Sequence, residues 1–223
     1  MCIGEQPQPL FEDRHEAGRR LAEALDGLAG RNDVIVLALP RGGVPVAAEV
    51  AKQLQARLDV FLVRKLGVPG HRELAMGAIA SGNVRVMNRD VIQSLHISSE
   101  AVEATVEAER QELERRERLY RPDNDELALR GRTVVLVDDG LATGATMRAA
   151  IEGVRTRDPG EVIVAVPVAA AEVCSQLTPL VDQMICLAKP ANFGGVGAWY
   201  RHFGQTSDAE VRSLLDEVHA TAN

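Results

Sequence analysis

The run Val134-Val135-Leu136-Val137-Asp138-Asp139-Gly140-Leu141-Ala142-Thr143-Gly144-Ala145-Thr146 constrains the fold of this chain more than any other stretch. Four consecutive aliphatic residues suit a strand covered on both faces. Two carboxylates end that strand, and a loop of small residues leads into a helix. The loop has little side-chain bulk, so its backbone can approach a ligand closely. Its N–H groups and those of the helix start can converge on one anion. Thr143 and Thr146 add hydroxyl donors. The acid pair repels that anion and calls for a polyol, a cation or both. Phosphate on one side and ribose hydroxyls on the other describe a ribose 5-phosphate. The plainer alternative is a strand-to-helix turn capped by two aspartates, which leaves the adjacent carboxylates unexplained. A Walker A loop is excluded, because no Gly-Lys-Ser/Thr follows at the required spacing, and no dinucleotide fingerprint is present here.

The rest of the chain reads as an α/β frame around this motif. Asp13 to Leu28 carries apolar residues at helical spacing, and Val34–Leu39 reads as a buried strand. Pro45 starts a helix to about Arg57, and Leu58–Val63 is the next strand, completing a βαβ unit. Met76–Ala80 and Val84–Met87 flank Ser81-Gly82-Asn83 as a hairpin. Ser98 caps a long charged helix to about Tyr120, stopped by Arg121-Pro122-Asp123-Asn124. Thr133–Val137, Val162–Val166 and Gln183–Leu187 are further strands, and Ser207-Asp208-Ala209-Glu210 is a capping box for a final helix. The long helix interleaves arginines with glutamates. That is a solvated face with local ion pairs, with a homodimer contact as the alternative.

Composition narrows the classes. A net charge of −7 argues against broad nucleic-acid binding. No apolar run approaches a membrane span, and Met1–Pro9 lacks a signal-peptide pattern. The three cysteines, Cys2, Cys174 and Cys186, share no metal-ligand spacing, so a reduced cytoplasm and no structural metal are expected.

A second anion cradle follows the first core strand. Pro40-Arg41-Gly42-Gly43-Val44-Pro45 supplies two glycines, a helix start and a bidentate phosphate donor. Loops at the carboxyl ends of neighbouring strands in an open α/β sheet share one ligand. The segment Val134–Thr146 resembles the phosphoribosyl-diphosphate (PRPP) signature of type I phosphoribosyltransferases. The whole chain, from about Asp13 to Val218, is similar to a bacterial group of that family for which no acceptor is firm. The resemblance implies an α/β type I phosphoribosyltransferase fold: a central, mainly parallel sheet flanked by helices, with the long charged helix as an insertion. It implies one domain over 1–223, with a core of about 13–188 and a C-terminal hood of about 189–223.

The resemblance also implies site roles. Asp138 and Asp139 would hold the ribose and, through water, Mg²⁺ brought with PRPP. Ala142, Thr143, Gly144, Ala145 and Thr146 would hold the 5-phosphate. Arg41, Gly42 and Gly43 would hold pyrophosphate, as would Lys65 and Arg64. Related enzymes place a mobile basic loop at Leu66-Gly67-Val68-Pro69-Gly70-His71-Arg72-Glu73, where His71 and Glu73 are available for acid/base chemistry. Four of the seven aromatic residues, Phe193, Trp199, Tyr200 and Phe203, fall in one C-terminal stretch. They read either as a hood that stacks on an acceptor or as a small hydrophobic cluster. Two positions depart from the pattern. Ala142 stands where 6-oxopurine transferases carry Asp, and Gly140 where an aliphatic residue is usual. The first weakens a hypoxanthine or guanine acceptor and leaves other small-molecule acceptors open. The expected partners are PRPP and such an acceptor, with neither nucleic acid nor membrane. The expected reaction is ribose 5-phosphate transfer to a nitrogen acceptor, catalysed by Asp138, Asp139, Lys65 and Arg41. A PRPP-sensing protein without turnover and a hydrolase of a phosphoribosyl compound are the alternatives.

Overall fold

A computed structural model describes residues 8–82, 84–121 and 128–221. Its frame is a five-stranded parallel sheet of order β2-β1-β6-β7-β8. The strands are β1 (Val34–Ala38), β2 (Arg57–Val60), β6 (Thr133–Val137), β7 (Glu161–Val168) and β8 (Gln183–Ala188). Every residue of β1 and β6 is buried, as near-continuous aliphatic sequences require when helices cover both faces. Side chains alternate across the sheet. Val34, Val36 and Ala38 face a layer containing α1 (Arg14–Glu23), α2 (Gly43–Leu54) and α7 (Asp208–Thr221). Ile35 and Leu37 face α5 (Ala145–Arg155) and α6 (Ala171–Leu177).

Between β2 and β6 the chain leaves the main sheet. The strands β3 (Val63–Val68), β4 (His71–Ala80) and β5 (Val84–Met87) form a separate antiparallel sheet. Two helices follow, α3 (Arg89–Ser94) and α4 (Ser99–Tyr120), and α4 packs Val102, Val106, Leu113 and Tyr120 into the main core. The strand order therefore reverses at β1. One crossover leads from β1 outward to β2, and the later strands build away on the other side through β6. The carboxyl ends of β1 and β6 flank this reversal, which is where ligands bind in open α/β sheets.

Several boundaries differ from the sequence expectation. The first helix stops at Glu23, and a separate 3-10 turn covers Asp26–Leu28. Asp13 caps it, accepting from the Glu16 N–H. Helix α2 begins at Gly43, two residues before Pro45, and ends where Gln55 turns left-handed. The run Leu58–Val63 splits: Val60 ends β2, and Val63 already belongs to β3. The stretch Leu66–Glu73 is not a loop. It forms the facing ends of β3 and β4, turning at Gly70 with φ +82° and absorbing Gly67 in a register shift. Helix α3, capped by Asn88, has no counterpart in the sequence reading. Met1–Pro7, Asn83 and the stop at Pro122-Asp123-Asn124 lie outside the described residues. The capping-box reading at Ser207 corresponds to a hydrogen bond from the Glu210 N–H to the Ser207 hydroxyl.

Helices α1 and α2 touch at Gly18. A Cβ there would lie 2.6 Å from the Val46 carbonyl oxygen and 2.9 Å from the Glu49 Cβ. Gly→Ala inside a helix ordinarily stabilises by roughly 0.8–1 kcal/mol. Here the backbone of α2 blocks the methyl, so Gly18→Ala should destabilise by about 1–3 kcal/mol through overpacking. Gly27→Ala, with nothing within 4 Å, should stay within about 0.5 kcal/mol of wild type. Urea unfolding of the two variants checks both.

Candidate active site

The loops after β1 and β6 start level, because Ala38 pairs with Val137 and the Leu39 N–H donates to the Val137 carbonyl. They then press together. A Cβ on Gly42 would sit 2.1 Å from the Asp139 Oδ2, and one on Gly43 would sit 2.9 Å from the Asp138 Cα. Only glycine fits at these two positions. The Pro40–Arg41 peptide between β1 and this contact is cis. The expected pyrophosphate loop and the expected ribose acids are thus in direct van der Waals contact.

Past the acid pair the β6 loop is pinned at Leu141. Its N–H donates to Val168 and its carbonyl accepts from Ala170, a short bridge to the end of β7. Gly140 lies beneath the C-terminal segment, where a Cβ would come within 2.7 Å of the Val196 Cγ1 and 2.9 Å of the Val168 carbonyl. That crowding explains why glycine replaces the usual aliphatic residue. Gly144, at φ +70°, turns the chain into α5 with its Cα against Val173. Around it Ala142, Thr143, Ala145 and Thr146 are all exposed. The Ala145 N–H, at the start of α5, donates to the Thr143 hydroxyl at 3.5 Å, and the exposed helix start with the Thr143 and Thr146 side chains is an arrangement that can take an anion.

The acid pair is tightly held. Asp138 accepts from the Asp139 N–H at 2.9 Å. Arg14, at the first position of α1, donates from Nε to the Asp139 Oδ2 at 2.8 Å, and its Nη2 lies 2.8 Å from the same oxygen. The Tyr200 hydroxyl donates to the Asp139 carbonyl at 2.6 Å. Both acids keep some surface, yet protein crowds their carboxyl groups. Burial, and then the neighbouring Asp139 charge, push Asp138 well above the usual carboxylate range. Burial pushes Asp139 up as well, and the Arg14 guanidinium pulls it back. Sequence reading missed Arg14. It lies 125 residues from Asp139, and no local pattern marks it.

The other candidate residues are placed unequally. Arg41 is partly exposed and lies 3.7 Å from Asp208, which also accepts from the Tyr120 hydroxyl at 2.5 Å. Lys65 lines an open cleft of about 400 Å³ that also contains Thr143, Thr146 and Arg148. Arg64 does not accompany it. Adjacent residues of a strand point to opposite faces, and the Arg64 Nε donates to Glu109 of α4 at 2.7 Å. His71 is exposed at the start of β4. Of the segment read as a hood, Phe193 and Val196–Tyr200 pack with Phe11, whereas α7 joins the main core. Trp199 is 8% exposed and donates from Nε1 to the Phe193 carbonyl at 2.8 Å. Its place is thus the hydrophobic cluster, and Phe203, 39% exposed, is the more open ring. The aromatic rings also face one another. Phe11 and Tyr200 lie 5.4 Å apart between centroids, and Tyr200 and Phe203 lie 5.1 Å apart. Arg14 lies over the Phe203 ring at 3.9 Å.

The sheet thus brings two glycine-bearing loops and an acid pair together at its reversal point. The chain belongs to the phosphoribosyl transferase domain family, whose model matches residues 11–177. It is 49% identical over 210 residues to "Putative phosphoribosyl transferase Rv0571c" of Mycobacterium tuberculosis H37Rv, and equally to its counterpart MT0597 in strain CDC 1551. The match covers 94% of this chain and 47% of either relative, so the chain spans about half the length of these curated proteins. The crystal structure of TT1426 from Thermus thermophilus superposes with a TM-score of 0.83 at 43% identity, covering 93% of this chain and 98% of that one. Among the described residues no helix is long and apolar enough to cross a membrane.

The state of Asp138 gives a stability prediction. Its folded pKa is raised, so its contribution to stability is intact below the unfolded value of about 3.9 and is lost as pH rises above it. Asp138→Asn keeps the oxygen that accepts from the Asp139 N–H and removes the charge. The variant should melt above wild type at pH 7. The gain should shrink towards pH 3.5. Thermal melts across that range measure it.

Proposed function

We propose that this protein transfers the phosphoribosyl group of PRPP to a nitrogen nucleophile and releases pyrophosphate. The observation that carries the reading is the contact of the Gly42-Gly43 loop with Asp138 and Asp139 at the sheet's reversal point. It brings an anion cradle within one side chain of a diol-binding acid pair, and a second cradle at Thr143–Thr146 follows on the same loop. PRPP carries a pyrophosphate, a cis-diol and a 5-phosphate in that arrangement.

In this reading Asp138 and Asp139 accept from the ribose hydroxyls, and the N–H groups of Ala142–Thr146 donate to the 5-phosphate. Arg41 and the Gly42-Gly43 backbone face the pyrophosphate, and Lys65 reaches it from the cleft that it shares with Thr143 and Thr146. The bond from C1 to the pyrophosphate oxygen breaks with its electron pair leaving on that oxygen, and the acceptor nitrogen forms the new bond to C1 and sheds a proton. Negative charge grows on the pyrophosphate and positive charge on the ribose. Preorganised donors on one side and carboxylates on the other therefore favour the transition state over the bound substrate. The acceptor approaches from the side of Phe203 and the C-terminal segment. The lack of an acid at Ala142 removes one means of recognising a 6-oxopurine ring.

The family implies Mg²⁺. Among the described residues no three His, Cys, Asp or Glu side chains gather into a cage. Two hard carboxylates at the strand end suit an ion that keeps several waters and takes its other ligands from the substrate. Asp138 and Asp139 would hold it through water. When bound, it neutralises charge on the pyrophosphate.

The direct test is pyrophosphate release from PRPP and Mg²⁺ across a panel of nucleobases and small amines. Acceptor-dependent release supports the transferase. PRPP binding without release for any acceptor favours a sensor, and release in water alone favours a hydrolase. Arg41→Ala should weaken PRPP and pyrophosphate by about tenfold or more, the scale of a charge-assisted hydrogen bond, and spare a nucleoside monophosphate. Thr146→Ala should weaken PRPP and the monophosphate and spare pyrophosphate. Calorimetric titration that shows all three ligands falling together in both variants contradicts the two-cradle assignment.

A further inference from the structure

We infer that Arg14 is a positioning residue for the ribose site, fixing the Asp139 carboxylate so that its Oδ1 edge is presented to the sugar while tying that carboxylate to the C-terminal segment. This rests on the reading of Asp138 and Asp139 as ribose ligands and adds a residue from outside the motif to it.

Arg14 is held on three sides. Its Nε donates to the Asp139 Oδ2 and its Nη2 lies against the same oxygen, both at 2.8 Å. Its Nη1 donates to the Gly204 carbonyl at 2.7 Å, and its guanidinium carbon lies 3.9 Å above the Phe203 ring. The side chain keeps only 11% of its surface and that of Asp139 only 14%. The Asp13 cap fixes the start of α1, and with it the Arg14 backbone. On Asp139, Oδ2 is closed in by Arg14 and by the Cα of Gly42, and the main-chain carbonyl is taken by Tyr200. Oδ1 is the oxygen that Arg14 leaves unengaged; it shares its surroundings with the Asp138 side chain, which interacts with the same carboxyl group, and with Gly42, where a Cβ would lie 3.2 Å away. A carboxylate with one oxygen clamped presents the other in a fixed direction, which is what a diol needs for two hydrogen bonds of good geometry. The planar fork of an arginine meets each of these demands, whereas a lysine ammonium meets only the charge.

The test is calorimetric titration of Arg14→Gln and Arg14→Lys with PRPP and with inorganic pyrophosphate, both with Mg²⁺. Arg14→Gln should bind PRPP about tenfold or more weakly and pyrophosphate within about twofold of wild type. Arg14→Lys should recover part of the PRPP affinity. A variant that binds both ligands equally weakly assigns Arg14 a general structural role and overturns the inference, as does unchanged PRPP affinity. If the Gln variant does not fold, the Lys variant decides by the same PRPP-to-pyrophosphate split. Asp139→Asn separates the two levels. If Asp139→Asn leaves PRPP binding intact, the ribose reading itself fails. If it weakens PRPP and Arg14→Gln does not, only the role of Arg14 fails.

Discussion

The structure depends on how closely two loops can meet at the carboxyl ends of β1 and β6. The parallel register brings Ala38 level with Val137, and from there a side chain at residue 42 would enter the Asp139 carboxylate. The absence of two Cβ atoms therefore sets the width of the site. The rest of the fold holds that spacing. Helices pack both faces of the sheet, α2 begins within the first loop, and Leu141 is bridged to the end of β7. Strain elsewhere in the core would be felt here, because close-packed interiors transmit displacement.

The acid pair shows a conflict between stability and binding. Two adjacent carboxyl groups crowded by protein are electrostatically unfavourable. Arg14 offsets part of that at Asp139, whereas burial and the Asp139 charge push Asp138 up. Removing one partner of an enclosed ion pair typically costs about 3–5 kcal/mol. The N-terminal helix is thus bound to the sheet's ligand end by electrostatics as well as by apolar packing against α2.

The sheet was legible in the sequence wherever its signals were local. Thr133–Val137 is both the expected and the observed strand, and the motif that follows it placed the chain in its family before any coordinates. The antiparallel insert was less legible. Gly67, Pro69 and Gly70 are turn formers, and three such residues in four positions read as a loop, yet only Pro69-Gly70 turns while a register shift absorbs Gly67. Arg64 and Lys65 read as one basic pair until the strand between them sent one to Glu109 and the other to the cleft. Arg14 was invisible because its partners Asp139 and Gly204 lie 125 and 190 residues away. Aromatic clustering in sequence does not tell whether a ring faces a ligand or another ring. Here Phe11, Tyr200 and Phe203 face one another.

The bridge between Phe11 and Tyr200 bears on how the molecule is made. Leu10 and Phe11 donate to the Trp199 carbonyl, and Arg201 donates back to Phe11. A chain that has left the ribosome only as far as Ala188 contains β1 through β8, the loops after β1 and β6, and Arg14. It lacks Tyr200, Phe203 and the Gly204 carbonyl, the groups that hold Arg14 and the Asp139 main chain from the other side. Contacts across such sequence separations form late in folding, because chain closure must precede them. Nascent chains halted at that length would hold a nearly complete sheet and an unfinished candidate site, so its completion would come abruptly with residues 189–204 rather than gradually.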